Sequence, residues 1–572
     1  MALTGSRGAI AVDVALPREL ERAFAEGLER AAAEDVAARI WSRDARLWGA
    51  PDAPELANRL GWLTIAERMR TELGELIAFA RECAADGLTD AVVLGMGGSS
   101  LAPEVIRQTF CEPGGERLRL HVLDSTAPAA IASLEREIDL DRTLFVVSTK
   151  SGGTIETLSL FKYFQAQVAD RVGRRVGNGA GRAGADARDE GGDQFVAITD
   201  PGSALAALAE QHRFRRTFLG DPEIGGRYSA LSYFGLVPAA LIGVDLDPLL
   251  DRAAAAAAEC APAEAAAAQG CGVRLGVAIA ELALAGRDKL TLAVSPSLAS
   301  FGLWAEQLIA ESTGKQGKGI VPIVDEPIAA PHAYGDDRAF VYLRDGDAAD
   351  PELDAQVEAL TLAGQPTLTI TIDGRYGLGS AFFLAEFATA VAGWALAINP
   401  FDQPDVQSAK DTTSRLLEGY GASGALAAVD DADESALSEL VSRLGSPHYL
   451  AIMAYVAPSP ALERAIAALR RAIRDATAAA TTFGYGPRFL HSTGQLHKGG
   501  PPTGRFLQLV AGGDEDIEIP AAGYGFATLI EAQASGDLET LRARGLPVER
   551  VRLRGEPAAA VSELTATIKE ML

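Results

Sequence analysis

From Asp90 onward the chain alternates short apolar runs with helical stretches, and this rhythm limits its fold more than any other feature. Residues 91–94, 121–123, 143–147 and 195–198 are strand-length runs separated by helical patterns. Such runs, joined through helices, predict βαβ units and a parallel sheet. A second series repeats the pattern at 290–294, 320–324, 340–343 and 367–372, after an alanine-rich helical region over 251–286. A third contains strands at 449–456, 506–510 and 548–553 and a helix over 461–480. The expected architecture is α/β: two doubly wound parallel-sheet domains (61–247 and 248–418) plus a C-terminal α/β segment (441–572). Residues 1–60 read as a helical N-terminal arm, and the small, acidic stretch 419–440 as a linker. Residues 172–193, dense in Gly, Arg and Asp, read as a surface insert.

Composition narrows the function. A chain of 572 residues exceeds one core. The net charge of −25 argues against nucleic acid as a partner, because the field repels phosphate backbones. Cys83, Cys111, Cys260 and Cys271 have the spacing of neither a disulfide framework nor a zinc site. The first residues lack a basic-then-apolar signal pattern. Residues 377–398 come nearest to a membrane span, but Glu386 interrupts them, so a buried core helix is expected. These features predict a soluble, cytoplasmic protein with no membrane partner and no metal or cofactor.

Two loops follow strands of the first series. Leu94-Gly-Met-Gly97-Gly98-Ser99-Ser100 lacks both the dinucleotide spacing, which fails at Ser100, and the lysine of a P-loop. Val147-Ser-Thr149-Lys150-Ser151-Gly-Gly-Thr154 gathers hydroxyls, glycines and a lysine where helix amides point outward. Hydroxyl and amide donors suit a phosphate monoester dianion, although Thr154 or Ser151 could simply cap a helix. Two such loops at successive strand ends of one sheet are better explained by a shared ligand at the sheet's carboxyl edge. In Ile224-Gly-Gly-Arg227-Tyr-Ser the arginine is placed to face a developing oxyanion.

Trp304 to Gly319 begins as an apolar helix and puts Glu311 on its last turn, where the helix's own partial charge is negative. Gly314 is expected at the C′ position, with Lys315 and Lys318 neutralising an exposed helix end. In Phe401-Asp-Gln403-Pro-Asp-Val-Gln-Ser-Ala-Lys410 the proline suits a first turn, with Gln403 just outside the helix and Lys410 about two turns in.

Together these segments resemble the glucose-6-phosphate isomerases of the sugar-isomerase (SIS) superfamily, and are most similar to the isomerase half of fused transaldolase–isomerase proteins. The carrying residues are G-M-G-G-S-S (95–100), S-T-K-S-G-G-T-I-E-T (148–157), G-G-R-Y-S (225–229), E-S-T-G-K (311–315) and F-D-Q-P-D-V-Q-S-A-K (401–410). They occur in the family's order over roughly 60–415, and no transaldolase barrel is expected ahead of them. The resemblance implies SIS-type domains and reversible isomerisation of glucose 6-phosphate and fructose 6-phosphate through a cis-enediol. A dual phosphoglucose/phosphomannose isomerase and a non-catalytic sugar-phosphate sensor are the alternatives. Gly97, Gly98, Ser99, Thr149, Lys150, Ser151 and Thr154 would hold the sugar phosphate. Glu311 would move the proton between C2 and C1, Arg227 would steady the enediolate, and Gln403 and Lys410 would line the sugar site. A homodimer is expected.

One departure concerns the ring-opening histidine. The family carries it between the Glu and Gln/Lys motifs, where this chain has only His332, in an unmatched context. The similar stretch here is Leu490-His491-Ser-Thr-Gly-Gln495, so His491 is the candidate and His497 its competitor. The displacement suggests that the C-terminal segment duplicates or replaces part of the second domain. Asp405 stands where the family has a small residue and is expected to add negative charge near the sugar.

Overall fold

The computed structural model describes residues 10–110, 117–177, 191–262, 270–512 and 515–572. β1 (Ala11–Ala15) opens the described chain. The first sheet holds β2 (Asp90–Gly95), β3 (Arg119–Leu123), β4 (Thr143–Ser148), β5 (Phe195–Thr199) and β6 (Arg216–Leu219), in the order β3-β2-β4-β5-β6. All its pairings are parallel. β2 and β4 are buried at every position, which is why they read as unbroken apolar runs. β6 gave no such run because it is a short, half-exposed edge.

β7 (Lys289–Val294), β8 (Val321–Ile323), β9 (Arg338–Asp345) and β10 (Thr367–Ile372) form the second sheet with β1, in the order β1-β10-β9-β7-β8. β1 pairs antiparallel to β10, so this sheet is mixed at one edge. The N-terminal residues are therefore not a purely helical arm: Ala11–Ala15 complete the second domain's sheet. The third sheet, from β11 (Tyr449–Tyr455), β12 (Ala480–Tyr485), β13 (Gly504–Ala511) and β14 (Val548–Leu553), runs β12-β11-β13-β14, all parallel. β12 was missed because the expected helix over 461–480 ends at Thr477.

Strand alternation divides the cores. Ala91, Val93, Leu144 and Val146 face a core shared with the second domain. Val92, Leu94, Phe145 and Val147 face the opposite side, whose core the third domain completes with Phe526, Leu529 and Ala532. The third sheet likewise turns Tyr449, Ala451 and Met453 toward Val321 and Ile323 of β8 and Ala310 of the Phe301–Thr313 helix. The C-terminal segment is thus packed against both domains.

Two boundaries move. The expected linker is shorter, because the Gln407–Ser423 helix runs into it and the Glu434–Ser442 helix begins inside it. The Gln407–Ser423 helix packs on the Phe526–Ala543 helix of the third domain. The insert expected over 172–193 starts as helix, since Ile155–Gly177 is one element; residues 178–190 lie outside the described residues, as does Cys111.

The apolar stretch near 377–398 forms the Leu378–Ala395 helix. With the preceding turn, Arg375–Ala395 is long and apolar enough to cross a membrane, but it is mostly buried inside the protein. Within it Glu386 is fully buried, and neither carboxyl oxygen has a hydrogen-bond partner among the described residues. Burial pushes its carboxyl well above the ordinary value of 4.5. Above that value an unfolded chain releases the proton while the folded one keeps it, so this residue's contribution to stability falls as pH rises. The stability of Glu386→Gln relative to wild type should therefore grow between about pH 5 and about pH 8, measured by calorimetry. A difference independent of pH would show that Glu386 is not held neutral.

Candidate active site

Each loop at the carboxyl edge of the first sheet is positioned by close backbone contact. A Cβ on Gly98 would sit 2.0 Å from the carbonyl oxygen of Gly226, so only glycine lets the two loops meet. This contact seats Arg227, in the Gly226–Tyr228 turn, beneath the first loop. Ser99 is buried beside it. In the second loop the hydroxyls of Thr149 and Thr154 lie 2.9 Å apart, and the Ser151 hydroxyl accepts from the Gly153 amide at 3.3 Å. Lys150 is paired: its ammonium is 2.5 Å from Asp200.

Arg227 is 3% exposed, and each of its nitrogens has a partner. Its Nε donates to Ser312 Oγ at 2.8 Å, and its Nη2 donates to the carbonyls of Pro400 (2.8 Å) and Asp402 (2.9 Å). Its Nη1 faces Gln403 Oε1 and Glu311 Oε1, each at 3.4 Å. The Arg227 guanidinium therefore bridges the Phe301–Thr313 helix and the 400–403 segment, with one edge against the candidate base.

Glu311 is 6% exposed. Its Oε2 accepts from Gln307 Nε2 at 3.0 Å, and the same amide donates to the backbone carbonyl of His491 at 2.8 Å. Gln307 and Glu311 share a helix face because they are four residues apart. The helix end is not exposed, contrary to the sequence reading. Lys315 is 1% exposed at its side chain, and its ammonium donates to the carbonyls of Asn399 (2.7 Å) and Asp402 (2.6 Å) and to Asp402 Oδ1 (2.7 Å). Burial, aided by nearby Arg227, brings its pKa down to about 8. Lys318 donates to the Leu396 carbonyl at 2.7 Å. Both lysines tie the 396–402 segment down instead of screening a helix terminus. Gly314 has φ −78° and so is not a left-handed C′ residue. Glycine is required there because a Cβ would lie 2.4 Å from the Cα of Leu496, in the third domain.

The third domain brings His491, in the Arg488–His491 turn, into this cluster. His491 Nε2 is 2.9 Å from Glu156 Oε1. Gln533 Nε2 donates to the same oxygen at 2.7 Å, and Gln533 Oε1 accepts from Thr126 Oγ1 at 2.8 Å. Burial would raise the Glu156 carboxyl, but the charge and hydrogen bond of His491, with help from Lys410, hold it below the ordinary range. The other candidate, His497, is packed between Phe489 and Phe506, and burial pushes its pKa down to about 3, with Lys498 adding to the effect. It is a core ring packed among aromatic side chains. His332 lies on an exposed turn.

The Gln/Lys motif is arranged differently from its sequence reading. The helix starts at Gln407, so Pro404 precedes it and Lys410 lies in its first turn. Gln403 and Lys410 are both exposed. Asp405 does not add free charge: it is 2.9 Å from Arg544 and accepts from Gln495 Nε2 at 2.7 Å. It pins the motif to the third domain.

Glu156, Gln307, Lys315, Asp402 and Gln533 were not singled out as site residues. Glu156 lies inside a quoted motif, and Gln307 was recoverable from its i, i+4 spacing to Glu311. Gln533 carries no local signal, being 377 residues from the carboxylate it meets.

Hydroxyl-rich loops at the carboxyl edge of one parallel sheet, with a buried carboxylate and guanidinium at its junction with a second, suit an isomerase of sugar phosphates. A family model described as phosphoglucose isomerase matches residues 63–336. A glucose-6-phosphate isomerase of Rubrobacter xylanophilus is 31% identical over 393 residues, covering 60% of this chain and 86% of that protein. Another, from Thermosynechococcus vestitus, is 31% identical over 375 residues, covering 58% and 66%. Among solved structures, a hypothetical protein of Thermus thermophilus superposes with a TM-score of 0.56 at 26% identity, over 71% of this chain and 100% of that one. A glucose-6-phosphate isomerase of Chlamydia trachomatis shares the fold with a TM-score of 0.53 at 21% identity, over 72% and 89%. The chain belongs to the phosphoglucose isomerase family.

Proposed function

We propose that this protein interconverts glucose 6-phosphate and fructose 6-phosphate with Glu311 as the single proton-transfer base. The carrying observation is the double anchoring of that carboxylate: Arg227 faces one oxygen and Gln307 donates to the other. Aldose–ketose isomerisation removes a proton alpha to a carbonyl and returns it one carbon over, which one ionised base can do on one face of an enediolate. Arg227, aligned before substrate arrives, is placed to stabilise the oxyanion. Ser99, Thr149, Ser151 and Thr154 supply hydroxyls for the remote phosphate, whose binding positions the reacting carbons. Gln403 and Lys410 sit at the exposed rim for sugar hydroxyls.

Ring opening is assigned to His491. With Glu156 held ionised, His491 Nε2–H donates to it, leaving Nδ1 to exchange a proton with the sugar oxygen. His491→Ala should slow reaction on cyclic substrate more than on a pre-opened analogue in a coupled assay. Equal slowing on both would move ring opening to another group.

We also propose that catalysis needs no second copy of the chain, because His491 meets Glu156 within one chain. A homodimer, if formed, would then serve some purpose other than completing this site. Specific activity should stay constant on dilution through any dimer dissociation followed by sedimentation. Loss of activity in step with dissociation would sink this reading.

A further inference from the structure

Behind the candidate active site lies a second cavity of about 850 Å³, where the carboxyl ends of β3, β8 and β12 converge. Its walls come from all three domains. The crevice outside strand carboxyl ends is where α/β sheets place ligands. Nothing in the isomerisation uses it.

The charges on its walls are unequally satisfied. Arg107 is 2.6 Å from Glu104, and His121 is 3.0 Å from Asp90. Arg470 donates to the carbonyls of Val324 and Thr481, both at 2.8 Å. Arg488 lies over the Tyr485 ring and reaches Asp124 at 3.8 Å. Glu306 is different. It is 7% exposed, lines the cavity, and its Oε1 has no hydrogen-bond partner among the described residues. Burial pushes its carboxyl up to about 8 against the opposing charges of Arg488 and Arg470, and nearby Asp325 adds to the rise. Asp325 opens into the same space, with Glu463 at the rim. A buried acid without a partner is costly, and a cationic donor from a ligand relieves that cost.

We propose that this cavity is a second ligand site, taking a small organic amine whose ammonium group lies between Glu306 and Asp325. An organic cation fits better than a metal ion, because no three metal-binding side chains converge among the described residues. It fits better than an anion, because Glu306 Oε1 is left without a hydrogen-bond partner among the described residues even with Arg488 and Arg470 nearby.

The site is built on the same two segments that carry the catalytic groups. Leu303 and Glu306 line the cavity from the helix that also carries Gln307 and Glu311. Phe489 and Ser492 face it on either side of His491 in sequence. An occupant therefore touches both segments from behind, and its binding changes the KM of the isomerase. This coupling rests on the proposed function; the binding itself does not.

The experiment is calorimetric titration of the whole chain with putrescine, with inorganic phosphate and magnesium chloride as comparisons. Saturable binding of putrescine is expected, weakened at least about tenfold in Glu306→Gln and in Asp325→Asn. Asp325 has φ +55°, which asparagine tolerates, so its variant should keep the fold if Glu306→Gln does not. Absence of saturable putrescine binding, or binding unchanged in folded Glu306→Gln and Asp325→Asn, overturns the site. Phosphate binding abolished by Arg488→Gln, or magnesium binding abolished by Glu306→Gln, overturns the amine assignment. Putrescine binding that leaves KM unchanged in a demonstrably active isomerase overturns the coupling.

Discussion

Glu311→Gln should lower the turnover of fructose 6-phosphate by about 10²–10⁴-fold, the range set by loss of a positioned proton-transfer group. The amide keeps the shape of the side chain and can still accept from Gln307, but it has no proton-accepting carboxylate. Because the residue is assigned to chemistry and not to holding phosphate, KM should change far less than kcat. Steady-state kinetics in a coupled assay, alongside a binding measurement for the sugar phosphate, separates the two. Equal losses in binding and turnover would make Glu311 a structural residue whose burial against Arg227 maintains the junction of the domains.

Arg227→Lys carries the second large effect. Lysine keeps the charge but not the fork that reaches Ser312, Pro400, Asp402, Gln403 and Glu311 at once. Turnover should fall by about 10²–10³-fold, as for loss of a preorganised oxyanion donor. Stability should fall as well, by about 1–3 kcal/mol, because buried carbonyls of the 400–402 segment lose their donor. Arg227→Lys should thus lower Tm and kcat together, whereas Glu311→Gln should lower chiefly kcat. A lysine variant with full turnover would remove Arg227 from the transition state and leave it a strut.

The contrast between these two residues reflects what sequence spacing can express. Glu311 stands out along the chain because a carboxylate on a helix's last turn opposes the helix dipole. Its support does not stand out. Arg227 lies 84 positions away, and the contact depends on a first-sheet loop meeting the second domain's helix. The Gly98–Gly226 approach that seats it is a three-dimensional clash condition invisible in either loop alone. Asp405 makes the same point in reverse. Read locally it is a stray negative charge; in the fold Arg544, from the third domain, neutralises it.

By itself the sequence determined what repeats locally: buried strands as unbroken apolar runs, the Gly/Ser/Thr loops that end them, and the chemical type of each candidate group. β10 and β14 were legible to the residue. Tertiary structure alone separated the environments of the two candidate histidines. His491 and His497 sit six positions apart in one short motif, yet one meets Glu156 and the other is sealed between two phenylalanines. Tertiary structure also turned Gly314 from a helix cap into a point of contact with the third domain, and Lys315 from a surface charge into a buried tie. The physical reason is common to all of these. Periodicity along a chain reports the face a residue presents, whereas the charge, solvent and proton affinity at that face depend on groups hundreds of residues away.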